Sequence, residues 1–163
     1  MKEYLPTYSR CFVCGKHNLS GLKRRFYVQR GADQFSDNDK IAVRITFSKE
    51  HVGFKGVVHG GIITAIIDEA MGWAASINTG RIYVTADLNV RFVKPVMINE
   101  ELTFIAWMNE DKKRVSLNEG VVINSIGEVL VKSSGKFFAM NEEETKKVVG
   151  YLTFEEGTLD IFK

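Results

Sequence analysis

The sequence predicts an α+β fold in which an antiparallel sheet curls round one long central helix. Three observations carry this. The stretch from His59 to Ser76 is apolar at nearly every position rather than along one stripe, as in a helix buried almost all round. Two strand-like runs precede it and four follow. An apolar helix of ~16 residues is ~24 Å long, which is too much greasy surface for a small sheet to cover unless the sheet wraps it. Such a sheet keeps a long edge strand, and pairing with a second copy would protect that edge.

Length and composition fit this frame. A chain of 163 residues forms one domain, residues 1–163, with a core large enough to need no staples. Apolar residues make up 45% and charged residues 26%, which is ordinary for a globular protein. The net charge is only +2 and the cations are scattered, so nucleic-acid binding has no support in composition. No apolar run approaches the ~20 residues of a membrane span. The opening Met1-Lys2-Glu3-Tyr4 lacks the form of a signal peptide, and two cysteines without an export signal favour a cytoplasmic setting.

Taken in order, residues 1–21 read as an irregular segment containing Cys11-Phe12-Val13-Cys14-Gly15-Lys16-His17. Cys-x-x-Cys is half of a zinc knuckle with His17 as a conceivable third ligand, but no second pair follows. The expectation is therefore no metal, with small thiols packed at a turn under a sheet. Leu22–Gln29 and Ile41–Phe47 read as strands around a polar turn at 30–39. Residues 48–58 form a connection placed to line a site at the helix start, and Gly80 ends the helical pattern. Tyr83–Val93 alternates, with Val84, Ala86, Leu88, Val90 and Phe92 on one face and Thr85, Asp87, Asn89 and Arg91 on the other. Leu102–Met108, Val115–Asn124 and Val129–Met140 follow as strands, with turns at 110–113 and 125–127, so the last four strands read as a meander. Asn141 before three glutamates caps a short helix over 142–149 within a C-terminal extension, 141–163.

One acidic pair, Asp68-Glu69, interrupts the greasy helix. A carboxylate there carries a large desolvation cost unless it is paired or has chemistry to perform, so Asp68 is the first candidate catalytic residue. Glu69, about 100° further round the helix, is the second, and His59 the third. At the other end of the argument, the first N–H groups of a helix are unpaired and lie at the positive end of its dipole. Gly60 and Gly61 there let a substrate approach the backbone without a Cβ in the way.

The run Gly53-Phe54-Lys55-Gly56-Val57-Val58-His59-Gly60-Gly61, then Asp68, then Tyr83 through Pro95, resembles the hotdog-fold acyl-CoA thioesterases. It is most similar to the branch with the phenylacetate-pathway thioesterases and the human thioesterase-superfamily members. The opening Cys11 to Leu22, Cys-Phe-Val-Cys-Gly-x-x-Asn-x-x-Gly-Leu, also resembles that of many bacterial members. The resemblance implies a hotdog fold, dimers or dimers of dimers (a homotetramer), and metal-free, cofactor-free hydrolysis of acyl-CoA. It assigns Gly60 N–H to the oxyanion hole, His59 to shaping the site, Asp68 to the catalytic acid position and Thr85 to holding the water. Asp68 then either activates water or attacks directly. His51 and Gly53 lie where related enzymes place a polar residue facing the carbonyl; Gly53 has no side chain, so His51 would supply that donor.

Helix geometry adds a constraint of its own. Gly60 and Asp68 are eight residues apart, ~12 Å along one helix, whereas an attacker must lie within ~3–3.5 Å of the reacting carbon. The expectation is a composite site, with Gly60 from one chain and Asp68 from its partner. Arg91, Lys94, Lys132 and Lys136 are candidates for the CoA phosphates, and Ile67, Met71 and Trp73 for the acyl pocket. Two other classes fit the same fold: a non-catalytic acyl-CoA or acyl-carrier binding module, and a hydratase, whose different helix-start motif is not seen.

Overall fold

The computed structural model describes residues 2–163. Its strands are β1 (Glu3–Tyr4), β2 (Thr7–Tyr8), β3 (Tyr27–Gln29), β4 (Lys40–Thr46), β5 (Val52–Phe54), β6 (Val57–Val58), β7 (Tyr83–Phe92), β8 (Glu101–Asp111), β9 (Val115–Asn124), β10 (Val129–Ala139) and β11 (Leu152–Thr153). The helices are α1 (Gly60–Thr79) and α2 (Glu142–Val149), with a 3₁₀ turn at Lys49–His51. The main sheet has seven strands in the order β1-β3-β4-β8-β9-β10-β7, all antiparallel, and α1 packs against β4, β7, β8, β9 and β10. An antiparallel sheet around one long helix is thus the observed architecture.

The helix runs 20 residues, from an N-cap at His59 to a left-handed Gly80 (φ 67°), the position where a missing Cβ removes the penalty. Ile63, Ile66, Ile67, Ala70, Met71 and Ala74 are buried against the sheet, where they meet Phe104, Val122, Val131 and Phe137 in one core. Coverage is not complete. Gly61 is exposed, and Thr64, Ala65, Asp68, Glu69, Gly72 and Trp73 are half-buried. This stripe follows i, i+3, i+4 spacing, so one face of the rod has less cover than the expected all-round burial.

Three connections differ from the sequence expectation. The last four strands are not a simple meander: β8, β9 and β10 are, but β7 lies at the far edge beside β10 and does not touch β8. The 93–100 segment carries the chain back across, held by Val93 and Lys94 N–H donating to Leu130 O. The strand expected over Leu22–Gln29 is only β3. Lys23 takes φ 53°, and residues 22–24 bond the N-terminal loop instead, Leu22 N–H to Phe12 O and Arg24 N–H to Val13 O. Residues 1–21 are also more ordered than expected. β1 extends the sheet and β2 pairs with β11, so the tail folds back over the N-terminal segment.

β7 carries the most consequential difference. Lys136 pairs with Asp87 but Phe137 pairs with Thr85, so Ala86 is an extra residue, a β-bulge. A bulge reverses the alternation. Beyond it Leu88 and Val90 pack on the core as expected; before it Tyr83 does, while Val84 turns outward at 50% exposure. Thr85, expected on the outer face with Asp87 and Arg91, therefore faces the helix.

The polar turn at 31–39 is built on Lys40. Its side chain is wholly buried, and Nζ donates to Gly31 O, Ser36 O and Asn38 O at 2.5, 3.1 and 3.0 Å. The carbonyls of the loop solvate the charge that the core cannot.

Candidate active site

Asp68 lies mid-helix on the sparsely covered stripe. Because the Ala86 bulge turns Thr85 inward, Thr85 Oγ1 donates to Asp68 Oδ1 at 2.7 Å. No lysine or arginine pairs with Asp68 among the described residues. Burial raises its carboxyl above the ordinary aspartate range, and the Thr85 hydroxyl partly opposes this. Both residues line a cavity of about 310 Å³ whose other walls include Tyr8, Cys11, Glu69, Trp73, Tyr83 and Leu152. An acid with one hydroxyl partner and open space beside it is equipped to accept a proton or to attack.

The helix start holds the second element. His59 is the N-cap, and its Nδ1 accepts the Gly61 N–H at 2.9 Å. Gly61 is therefore not a free donor. Ile62 and Ile63 N–H both donate to His59 O. Among the described residues the Gly60 N–H has no acceptor, so it is the N–H left over at the positive end of the helix. Gly60 borders a second cavity with Phe54, Val57, Val58, Phe92 and Lys94. The neighbouring glycine has a packing reason: a Cβ on Gly53 would lie 3.0 Å from His59 Cα and Cδ2, so Gly53 makes room for the capping imidazole. His51 is occupied too. Its Nδ1 accepts the Ser48 N–H at 3.2 Å and its carbonyl accepts the His59 N–H, so it caps the 48–51 turn with Nε2 left as the donor nitrogen of the ring.

The remaining candidates separate. Met71 and Ile67 are fully buried in the core and do not line the cavity beside Asp68, whereas Trp73 does. Their place follows from helix spacing: residues 63, 67, 70, 71 and 74 face the sheet, and 68, 69, 72 and 73 face away. Lys94 borders the Gly60 cavity but is ion-paired with Glu128. Arg91 and Lys132, cross-strand neighbours, line a groove on the outer face with Trp107 and Glu119, and Lys136 lies 3.9 Å from Asp87.

Glu69 turns away from Thr85 toward the N-terminal segment, where the Cys11 sulfur and Glu69 Oε2 share a hydrogen bond at 3.1 Å. Burial, reinforced by the negative charge on Cys11, pushes the Glu69 carboxyl up to about 8. Cys14 hydrogen-bonds the Cys11 sulfur through its thiol and its backbone N–H; together with Glu69 and the Val13 N–H it draws Cys11 down to about 5, while the same thiol contact and burial push Cys14 up. His17, the ligand candidate beside the pair, instead bonds Ser9 Oγ through Nδ1 at 2.9 Å. The partner of the cysteines is Glu69, 55 residues beyond Cys14 in sequence.

Known proteins share the fold. Residues 55–130 match the thioesterase superfamily. A putative esterase from Archaeoglobus fulgidus is 24% identical over 156 residues, covering 82% of this chain and 96% of that protein. The BH2602 protein from Bacillus halodurans, solved with CoA, is 31% identical over 60% of this chain and 70% of its own, with a TM-score of 0.56. The E. coli PaaI protein of the phenylacetic acid degradation operon is 19% identical over 63% of this chain and 73% of its own, with a TM-score of 0.59. No helix among the described residues is long and apolar enough to cross a membrane. Over residues 55–130 the chain is similar to the thioesterase superfamily, and it has the hotdog fold of the solved proteins that it resembles.

Proposed function

We propose that this chain hydrolyses acyl-CoA thioesters to the free acid and CoA, at sites shared between two copies of itself. The observation that carries the reading is Asp68: a half-buried carboxylate with a hydroxyl partner, no cation and a cavity beside it. Within one chain it is ~12 Å along the helix from the free Gly60 N–H, so each copy presents half of the chemistry. The thioester carbonyl sits against the Gly60 N–H of one subunit, which stabilises the oxyanion as the carbonyl carbon becomes tetrahedral. Asp68 of the other subunit takes a proton from the attacking water, or attacks the carbon itself and is released by water. Thr85 keeps the carboxylate oriented and ionised. Collapse of the intermediate expels the CoA thiolate.

Two features support assembly. β7 is a ten-residue strand that pairs on one side only, a long edge whose unpaired backbone groups a second β7 would satisfy. Phe54, Val84 and Phe92 stand 77%, 50% and 48% exposed on or near that edge. The ligand reading draws on the CoA found with the Bacillus halodurans relative. Trp73, Tyr83, Val148 and Leu152 around Asp68 give the acyl chain an apolar wall.

The test is release of free thiol over a panel of acyl-CoA esters differing in chain length and aromaticity. Turnover that disappears in Asp68→Ala is the expected result. Saturable acyl-CoA binding with no thiol release would make this a binding module instead.

A further inference from the structure

The Cys-x-x-Cys turn is built around sulfur. Backbone N–H groups of Val13 and Cys14 both point at Cys11 Sγ, at 3.3 and 3.4 Å, and the Gly15 N–H closes the loop on Cys11 O at 2.9 Å. A Cβ on Gly15 would lie 2.5 Å from Cys11 O and 2.6 Å from Ser9 O, both backbone atoms, so only glycine permits this turn. Donors aimed at a sulfur favour the thiolate, the form that ligates metals. The turn then sets both thiols against α1 at Glu69, with one ligand atom from each of Cys11, Cys14 and Glu69 within 4.8 Å of one another. A zinc ion with bonds of ~2.0–2.3 Å to oxygen and sulfur would draw tetrahedral ligands to ~3.3–3.8 Å apart, so a small closure completes the sphere. Glu69 has no lysine, arginine or histidine ion-paired with it among the described residues. A buried acid beside two thiols, with no positive charge paired to it, suits a cation.

We propose that Cys11, Cys14 and Glu69 bind a thiophilic divalent cation of the zinc class, which pins the N-terminal segment to the central helix and keeps a fourth position open toward the cavity beside Asp68. Two sulfurs exclude magnesium and calcium, which select oxygen ligands. Three protein ligands with one open position is a recurrent zinc arrangement. Glu69 then has a role distinct from that of Asp68: one carboxylate holds the metal and its neighbour faces the substrate. The inference does not rest on thioesterase activity, because the site is read out by metal alone.

The experiment is titration of the reduced full-length protein with cobalt(II), a spectroscopic stand-in for zinc. One equivalent should give thiolate-to-cobalt charge-transfer absorption and the intense visible bands of a tetrahedral site, both erased by added zinc. Cys11→Ser and Cys14→Ser should abolish the charge-transfer band. Glu69→Gln should weaken cobalt binding by more than the ~10–100-fold that changes outside the ligand set cost. If the cysteine variants fail to fold, X-ray absorption of the zinc-loaded wild type decides, with two sulfur neighbours at about 2.3 Å expected. No charge-transfer band in the reduced wild type, a zinc site of nitrogen and oxygen only, or affinity indifferent to Glu69→Gln would each overturn the proposal. Thiol-release activity measured on the same samples keeps the two readings separate.

Discussion

Replacing Gly60 with proline removes one N–H from the molecule and changes little else. Gly60 is the first residue of α1, the position at which helices accept proline because its N–H has no partner inside the helix. The preceding residue, His59, already has ψ 127°, within the range that proline imposes on its predecessor. A Cβ at Gly60 would lie 3.2 Å from Phe92 Cζ, the far end of a side chain that is 48% exposed and free to swing aside. Folding should therefore survive. Gly60→Ala is the matched control, since it adds the same Cβ and keeps the N–H. Loss of one oxyanion donor costs ~2.7–4 kcal/mol, or ~10²–10³ in kcat. Thiol release by the proline variant should fall by about that factor below the alanine variant, with far-UV circular dichroism unchanged. Equal kcat values in two folded variants would refute the assignment of this N–H to the oxyanion.

Three further outcomes follow from the geometry. Thr85→Val removes the hydroxyl that favours the ionised form of Asp68; the acid limb of the kcat/KM profile should move to higher pH, with about tenfold or more activity lost below it, since a hydrogen bond to a charged group is worth ~1.5–3 kcal/mol. An unmoved limb would separate Thr85 from the titrating group. Asp68→Asn should lower kcat by ~10²–10⁴ yet raise the melting temperature at neutral pH. Burial raises the folded-state pKa of Asp68, so the stability it allows is full below the unfolded-state value and is lost as pH rises through the folded one. The melting gap between variant and wild type should accordingly close in acid, and a gap that widens there would contradict the sign. Lys40→Met strips a charged donor from three loop carbonyls and should cost ~3 kcal/mol or more in urea unfolding, with the 31–39 loop becoming the first site of proteolysis. A loss within ~0.5 kcal/mol would show that the loop holds without it.

Much of the architecture was legible because its signals are local. The apolar run after His59, the stop at Gly80 and the Asn141 cap each sit within a few residues of the structure they specify. The conflict of Asp68 with its apolar neighbours was equally visible. What escaped depends on partners far along the chain. The Ala86 bulge exists because Lys136 and Phe137 pair as they do, and no periodicity within residues 83–93 announces it. With it went the true facing of Thr85. Glu69, which meets Cys11 in the fold, is 55 residues beyond Cys14 and on a helix, so the local sequence offers only His17 as a third ligand and points to no metal. Apolar character alone points Met71 and Ile67 to a pocket, but helix spacing turns them to the sheet while Trp73 turns to the cavity. The crossing of 93–100, which sends β7 to the far edge, likewise has no local marker.

Sharing of the site between two chains is the claim on which the chemistry depends, and mixed subunits test it most directly. An Asp68→Ala chain and a Gly60→Pro chain, each inactive alone, are mixed in equal amounts and allowed to exchange, with hybrid formation verified by mass. Random exchange should restore about one quarter of wild-type thiol release, because about half the dimers are hybrids and each hybrid has one intact site of two. Activity no greater than the sum of the parents, with hybrids present, would contradict a site built across the pair.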